Sequence, residues 1–360
     1  MSVSAEILLQ TYPELLKYLA GDKNKEAEAP CSQTHLIKNA IAYVADASML
    51  SATLQSEIAI LVVHDKISAK ALELNSKNKT LLATQNTYLS MALINSRFFA
   101  LPSLKAPFEK IMIHPSAQVA SSAKIGQNVI LSPGAVIYDN VTIGDGTFIG
   151  ANSVIEANTT IGQNCFFHPQ VYVGHTCKIG DRVEIKPHST VGSDGYGYAH
   201  DAKGNHYRIP HYGPVIIEDD VHIGANVNID RGTFDPAIIG AGTKIDNHCH
   251  LGHNIKVGKN CLITAGIIVA GSSTIGDNCV FAGRVSVNGH IEITSNCQFG
   301  PMTAITNDIK VPGTYGGYPP IPLRDSLKVA ASLVHLPKMR KNISRIMKQL
   351  GLNDEEKSKN

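Results

Sequence analysis

No stretch of this 360-residue chain approaches the run of about 18 apolar residues that a membrane-crossing helix needs, so stable membrane insertion is not expected. The opening residues, MSVSAEILLQTYPELLKYL, lack a basic segment followed by a secretory apolar core, and a cytoplasmic location is the expectation. Net charge is also scarce: 32 Lys and Arg against 30 Asp and Glu leave +2, which makes no case for a nucleic-acid partner. The seven cysteines contain no CxxC pair, the usual spacing of a metal or redox site. The hydrophobic fraction of 43% suffices for a substantial core, and the length suits two or three domains.

What is present is a repeat. A hydrophobic residue recurs every six positions from Val119 through Ile125, Leu131, Ile137, Ile143 and onward to Val191, and again from Ile239 to Ile305. Two positions before each lies a small or β-branched residue, as at Ala117, Ala123, Ala135, Thr147, Ser153 and Thr159, and glycine often follows the aliphatic one. A period of six does not fit the 3.6 of an α-helix over so many turns. It fits short strands bounded by turns, whose bulky residues stack into an internal column. Three hexapeptides per coil would raise successive coils by about 4.8 Å, the spacing of hydrogen-bonded strands. Cys165, Cys177, Cys249, Cys261, Cys279 and Cys297 occupy the small-residue slot, so they read as compact internal hydrophobes.

Three segments follow. Residues 1–112 lack the period and combine a helical stretch at Ala5–Ala20 with the buried-strand run Ile58–Val63, which suggests a small α/β domain. The repeat occupies 113–311, opening at His114-Pro115. A turn-rich link and two helices between Leu323 and Leu350 fill 312–360, with Pro337 starting the second helix. The repeat breaks twice, at Gly192–Pro214 and around Asp230–Asp235. An insertion into a solenoid leaves one face as a loop, and the Gly, Tyr and His of the first break suit a site that receives a sugar or base by stacking.

Chemistry concentrates just beyond, in IDNHCHLGHN (245–254) and SVNGHIE (286–292). His253 and His290 each fall shortly after a column residue and 37 residues apart, two coils plus one, which puts both on one flank of the prism. An imidazole with a nearby carboxylate, here Asp246, is the usual construction of a general base near neutral pH.

With these motifs, the GSDGYGYA loop (192–199), the IDRG stretch (229–232), IDNxxxxxHN and NGHxE, the chain resembles the UDP-3-O-(3-hydroxyacyl)glucosamine N-acyltransferases, the LpxD family of lipid A synthesis. The resemblance implies a mainly β fold: a left-handed parallel β-helix with a small N-terminal uridine-binding α/β domain and C-terminal helices. It implies a homotrimer with active sites in clefts between copies, no cofactor and no metal. The substrates would be UDP-3-O-acylglucosamine and a 3-hydroxyacyl group on acyl carrier protein. Matched residue by residue, His253 would be the general base toward the 2-amino group, oriented by Asp246. Asn247 would contact substrate, His290 would polarise the reacting groups, and Gly271 would offer its backbone N–H to the oxyanion. Tyr43, Asp46 and Met49 stand where the family grips uracil, although a carboxylate at 46 cannot donate as an amide does. The basic residues Lys338, Arg340, Lys341 and Arg345 would meet the acidic carrier protein, and Leu327, Val329, Ala330, Leu333 and Val334 would pack on the β-helix.

Other readings stay open at this point. One is a divergent paralogue acylating another nucleotide amino sugar, and another is a trimeric scaffold without catalysis. A zinc enzyme of the β-helix anhydrase type is suggested by His248, His250 and His253.

Overall fold

The structure, a computed structural model, describes residues 2–99 and 112–351. The chain divides into two compact units, 1–103 and 104–360. Residues 100–111, beside the boundary expected at 112, and the last nine residues lie outside the described ones.

In the first unit a five-stranded sheet runs in the order 17–20, 80–84, 60–64, 40–44, 29–30, with its inner strands parallel. The central strand Ile60–His64 realises the apolar run read from the sequence, slightly displaced. Helices α1 (Ala5–Thr11), α2 (Leu50–Gln55), α3 (Ser68–Leu74) and α4 (Thr87–Phe98) complete the unit. Two separate apolar clusters pack around the sheet strands. The helix expected over Ala5–Ala20 ends at Thr11, and Lys17–Ala20 is instead an edge strand. Pro13 accounts for the stop, because a residue preceding proline is pushed out of the helical region, and Tyr12 has left it at ψ 58°.

The second unit is a parallel β-helix with three sheet faces. Two-residue strands pair with those 18 positions on, as Ile130 with Phe148 and Val136 with Val154, so each coil is three hexapeptides. The column residues read from the sequence form one continuous buried core. Phe281 and Phe299, one coil apart, stack at 4.9 Å, and Tyr315 extends the stack at 5.8 Å. The last coil closes later than expected, since Thr314–Gly316 still pairs in parallel with Gln298–Phe299.

The small-residue slot has its own chemistry. Thr147, Thr159 and Thr243 donate their hydroxyls to the carbonyls of Gly162, Gly174 and Gly258, each 15 positions on, at 2.9–3.0 Å. Cys165 and Cys261 point their thiols at the matching carbonyls of Gly180 and Gly276, at 3.1 and 3.2 Å. Cysteine therefore replaces serine or threonine as a small buried donor.

At most corners the third residue after the column residue has a left-handed backbone: Asn128, Asn140, Asn152, Asn164, Asn260 and Asn278 among many. Asparagine tolerates that region better than other side chains, which explains its recurrence. His248 and His290 occupy the same slot, at φ 58° and 59°.

Helices α5 (Leu323–Leu333) and α6 (Leu336–Gln349) follow, and Pro337 lies in the first turn of α6 as expected. The expected packing of α5 on the β-helix is not found beyond its start. Leu327, Val329, Leu333 and Val334 are 54–74% exposed, because within one chain no layer covers that face.

Six of the seven cysteines are buried in the β-helix, and Cys31 of the first unit is half-exposed. Burial pushes the Cys165 thiol up to about 11 and raises Cys177, Cys249 and Cys297. Alkylation of the native protein at pH 8 should therefore modify Cys31 alone, while denaturant releases all seven. Mass spectrometry of intact protein before and after unfolding checks this.

Candidate active site

The two breaks in the repeat act on one coil corner. Across the first, pairing partners lie 38 positions apart instead of 18, and the surplus leaves as a loop with a hairpin of Tyr198–His200 and His206–Arg208. Across the second the separation is 22. Arg231 locks both. Its guanidinium is 1% exposed and donates to the carbonyls of Gly192 at 2.8 Å and His175 at 2.7 Å. Gly192 fits there only as glycine, with φ 86° and the Cys177 sulfur 2.6 Å from where a Cβ would stand.

So anchored, the break segments converge on His253. Gly195 packs on its Cβ, since a Cβ on residue 195 would lie 2.6 Å away. His211, 4% exposed, meets the His253 ring edge-on at 5.4 Å. Tyr212 and Phe234, both largely exposed, stack at 6.2 Å with planes 15° apart.

Asn254 sets the state of His253. Its Oδ1 accepts from the N–H and hydroxyl of Thr233, both at 3.0 Å, and lies 3.1 Å from His253 Nδ1. An oxygen held by two donors is an acceptor toward the ring, so Nδ1 carries the proton and Nε2 keeps its lone pair. That Nε2 faces Gly271, where a Cβ would stand 2.5 Å away. Asn254 was missed in the sequence because asparagine at this slot is everywhere a turn residue.

At Gln127, Gln163, Lys259 and Asp277, which hold the same place after a column residue but along another edge of the prism, the N–H is capped by a side chain 18 positions on: Asp145, Asp181, Asp277 and Ser295. Eighteen positions after Gly271 comes Gly289, with no side chain to cap anything. Among the described residues no acceptor takes the Gly271 N–H. His290 lies at the same corner, exposed, its own N–H on the Gly271 carbonyl at 3.2 Å.

Asp246 and Asn247 are not brought to His253 within one chain. They sit at the preceding corner, separated from it by the strand His250–Leu251. Both are exposed; Asp246 accepts from the N–H of Asn247 at 2.7 Å, and Asn247 Oδ1 caps the N–H of Ala225 at 2.7 Å. A second aspartate of this region, Asp230, is 6% exposed, with His250 Nε2 3.5 Å from its Oδ2. Nor do His248, His250 and His253 converge: among the described residues no three His, Cys, Asp or Glu side chains could hold a metal ion.

In the first unit, Tyr43 and Met49 line a cavity of about 380 Å³ together with Cys31, Gln33, Tyr88 and Met91. Asp46 does not line it. Its carboxylate accepts from the Ser48 N–H at 2.8 Å and from the Ser48 hydroxyl, bonds that hold it below the usual carboxylate range. Tyr43 is anchored through its hydroxyl to Asn95 at 2.9 Å, and burial raises its phenol. The second ring at the cavity is Tyr88 of α4, 74% exposed, which local spacing around Tyr43 could not reveal. In the C-terminal helices, Lys338, Arg340, Lys341 and Arg345 all lie exposed on α6.

Residues 122–157 and 158–193 match the family of the bacterial transferase hexapeptide, six repeats. The chain is 49% identical over 185 residues to a UDP-3-O-acylglucosamine N-acyltransferase of Anaeromyxobacter dehalogenans, covering 50% of this chain and 52% of the relative. It is 49% identical over 210 residues to one of Campylobacter jejuni subsp. doylei, covering 58% and 62%. The chain thus spans between half and two thirds of the length of these curated relatives. A solved Arabidopsis UDP-N-acetylglucosamine acyltransferase superposes with a TM-score of 0.51 and 26% identity, covering 57% of this chain and 71% of that one. No helix of the described residues is long and apolar enough to cross a membrane.

Gly271→Ala should drive a methyl into His253 Nε2 and displace the ring. We expect the β-sheet circular dichroism to be kept and any turnover that uses His253 to fall by about a hundredfold. Wild-type turnover in the alanine variant would contradict the geometry.

Proposed function

We propose that this chain is an N-acyltransferase that moves a 3-hydroxyacyl group from acyl carrier protein to the 2-amino group of UDP-3-O-acylglucosamine, in lipid A biosynthesis. The observation that carries this is the pairing of an open His253 Nε2 with the uncapped N–H of Gly271 at one corner. A base and an oxyanion donor side by side are what acyl transfer needs. The names of the relatives agree with this chemistry.

In the proposed reaction the sugar amine attacks the thioester carbonyl while His253 Nε2 takes the amine proton. Asn254 holds the other ring nitrogen, so the lone pair stays on the correct side. The tetrahedral oxyanion accepts from Gly271 N–H and then collapses, breaking the C–S bond, and the imidazolium returns a proton to the departing thiolate. No acyl-enzyme is needed, and the six β-helix cysteines are buried in the core.

Asp246, Asn247 and the polarising role of His290 fit a homotrimer whose clefts lie between copies, where one copy's corner serves another copy's His253. The cavity of the first unit is assigned to the nucleobase, with Tyr43, Met49 and Tyr88 around it.

The test is transfer from a panel of 3-hydroxyacyl carrier proteins to UDP-3-O-acylglucosamine, beside His253→Ala. Turnover that falls by three orders of magnitude or so in the variant is expected. Absence of turnover with every donor, from a folded trimer by light scattering, would overturn the reading.

The carrier protein is assigned to the basic face of α6. Replacing Lys338, Arg340, Lys341 and Arg345 with Glu should raise KM for the carrier protein by about tenfold or more and leave kcat nearly unchanged. The difference from wild type should shrink as salt rises. Unchanged KM at low salt would exclude that face.

A further inference from the structure

The cavity of the first unit has walls for a flat ring but few groups left to tell one ring from another. Tyr43 spends its hydroxyl on Asn95 at 2.9 Å, the hydroxyls of Ser32 and Thr34 lie 3.2 Å from each other, and Asp46, outside the cavity, is bound to Ser48. Met49 and Met91 carry no strong donor or acceptor. The hydroxyls of Thr87 and Tyr88 rotate to donate or to accept, so by themselves they do not discriminate between base edges. One side-chain amide lines the cavity, and it belongs to Gln33.

Gln33 is held in a way that settles its orientation. The short edge strand Ala29–Pro30 pairs only as far as Ile41, and the N–H of Cys31 reaches the Ile41 carbonyl at 3.0 Å. Beyond that point Gln33 Nε2 takes over and donates to the Tyr43 carbonyl at 2.7 Å. A carbonyl accepts only from the nitrogen end of an amide, so the group cannot turn over without losing this bond. Its Oε1 is left as an acceptor, and among the described residues nothing donates to it. Capping Tyr43 uses one N–H, which any donor side chain would supply. The acceptor is what an amide adds.

Uracil and cytosine offer similar faces for stacking and differ on the edge that proteins read by hydrogen bonding. At N3, uracil carries a hydrogen and cytosine a lone pair. Resting on the proposed substrate, we infer that Gln33 is a specificity-determining residue: its fixed Oε1 accepts from the N3–H of a uracil held in the cavity beside Tyr43 and Tyr88. In the same pose cytosine sets a lone pair against Oε1, and the amide meets it with nitrogen only by giving up Tyr43. Reading of the base thus falls to the segment before the strand Ala40–Val44. Asp46, just after that strand, is committed to Ser48.

The test is equilibrium binding of nucleoside monophosphates to the full-length protein by isothermal titration calorimetry. Wild type should bind uridine monophosphate about tenfold or more tighter than cytidine monophosphate. 3-Methyluridine monophosphate, which keeps both carbonyls of uracil and lacks the N3 hydrogen, should bind as weakly as the cytidine compound. In Gln33→Met the uridine-to-cytidine ratio should fall to about one. Gln33→Lys keeps a donor for the Tyr43 carbonyl and has no acceptor, so it should lose the preference as well, and it serves alone if Gln33→Met does not fold. Tyr88→Ala should weaken both nucleotides alike and keep the ratio, because stacking does not read the edge.

A wild-type protein that does not distinguish these nucleotides, or a preference that survives in the folded Gln33 variants, would overturn the inference and leave Gln33 a cap of the Tyr43 carbonyl. So would a preference that disappears in Gln33→Met and persists in Gln33→Lys. A Gln33-dependent preference for uridine in a protein that transfers no acyl group from any donor would uphold the inference and overturn the proposed reaction. Acyl transfer with the KM for UDP-3-O-acylglucosamine unchanged in Gln33→Met would do the reverse.

Discussion

Hydrogen bonding of each two-residue strand to the strand 18 positions on is the constraint from which the second unit follows. It fixes the stacking of side chains as well as backbone. Column residues meet column residues, small residues meet carbonyls, and every corner repeats the one below it. A defect in that register is therefore tolerated only if something repairs it locally. Arg231 is the repair, a buried guanidinium at the second break that donates to the carbonyls of His175 and of Gly192, where the first break begins.

The site is best understood as a corner left bare. Along another edge of the prism a carboxylate or hydroxyl from the next coil satisfies the turn N–H. At the His253 corner Gly271 and Gly289 follow in successive coils with no side chain, and the space left goes to an imidazole ring and an open donor. The same bare backbone that costs the fold a hydrogen bond offers one to a reacting group. The break segments then close over the ring, so that half-burial and a single tautomer are imposed on His253 from outside the repeat.

Near this corner the position of a residue decides its chemistry more than its type. Asp230 and Asp246 are both aspartates shortly before His253. The first is buried among imidazoles, and the second is a solvated turn residue one corner away. In the first unit Asp46 likewise spends its carboxylate on Ser48, while Tyr88, far along the chain, turns to the cavity that Tyr43 and Met49 line.

The sixfold period by itself determined the β-helix, its column, the internal place of six cysteines and the shared corner of His253, Gly271 and His290. A strictly periodic chain has one way to bury one residue in six, and counting then locates every corner. Only the tertiary structure decided what enters a corner from outside the count. His211 reaches His253, and Thr233 reaches Asn254, through insertions whose path no period describes, and Asp246 misses the ring by one strand. The apolar face of α5 stays uncovered. The contacts at His253 join segments distant in sequence, where local pattern carries no information about distance, whereas the early end of α1 is local and set by Pro13.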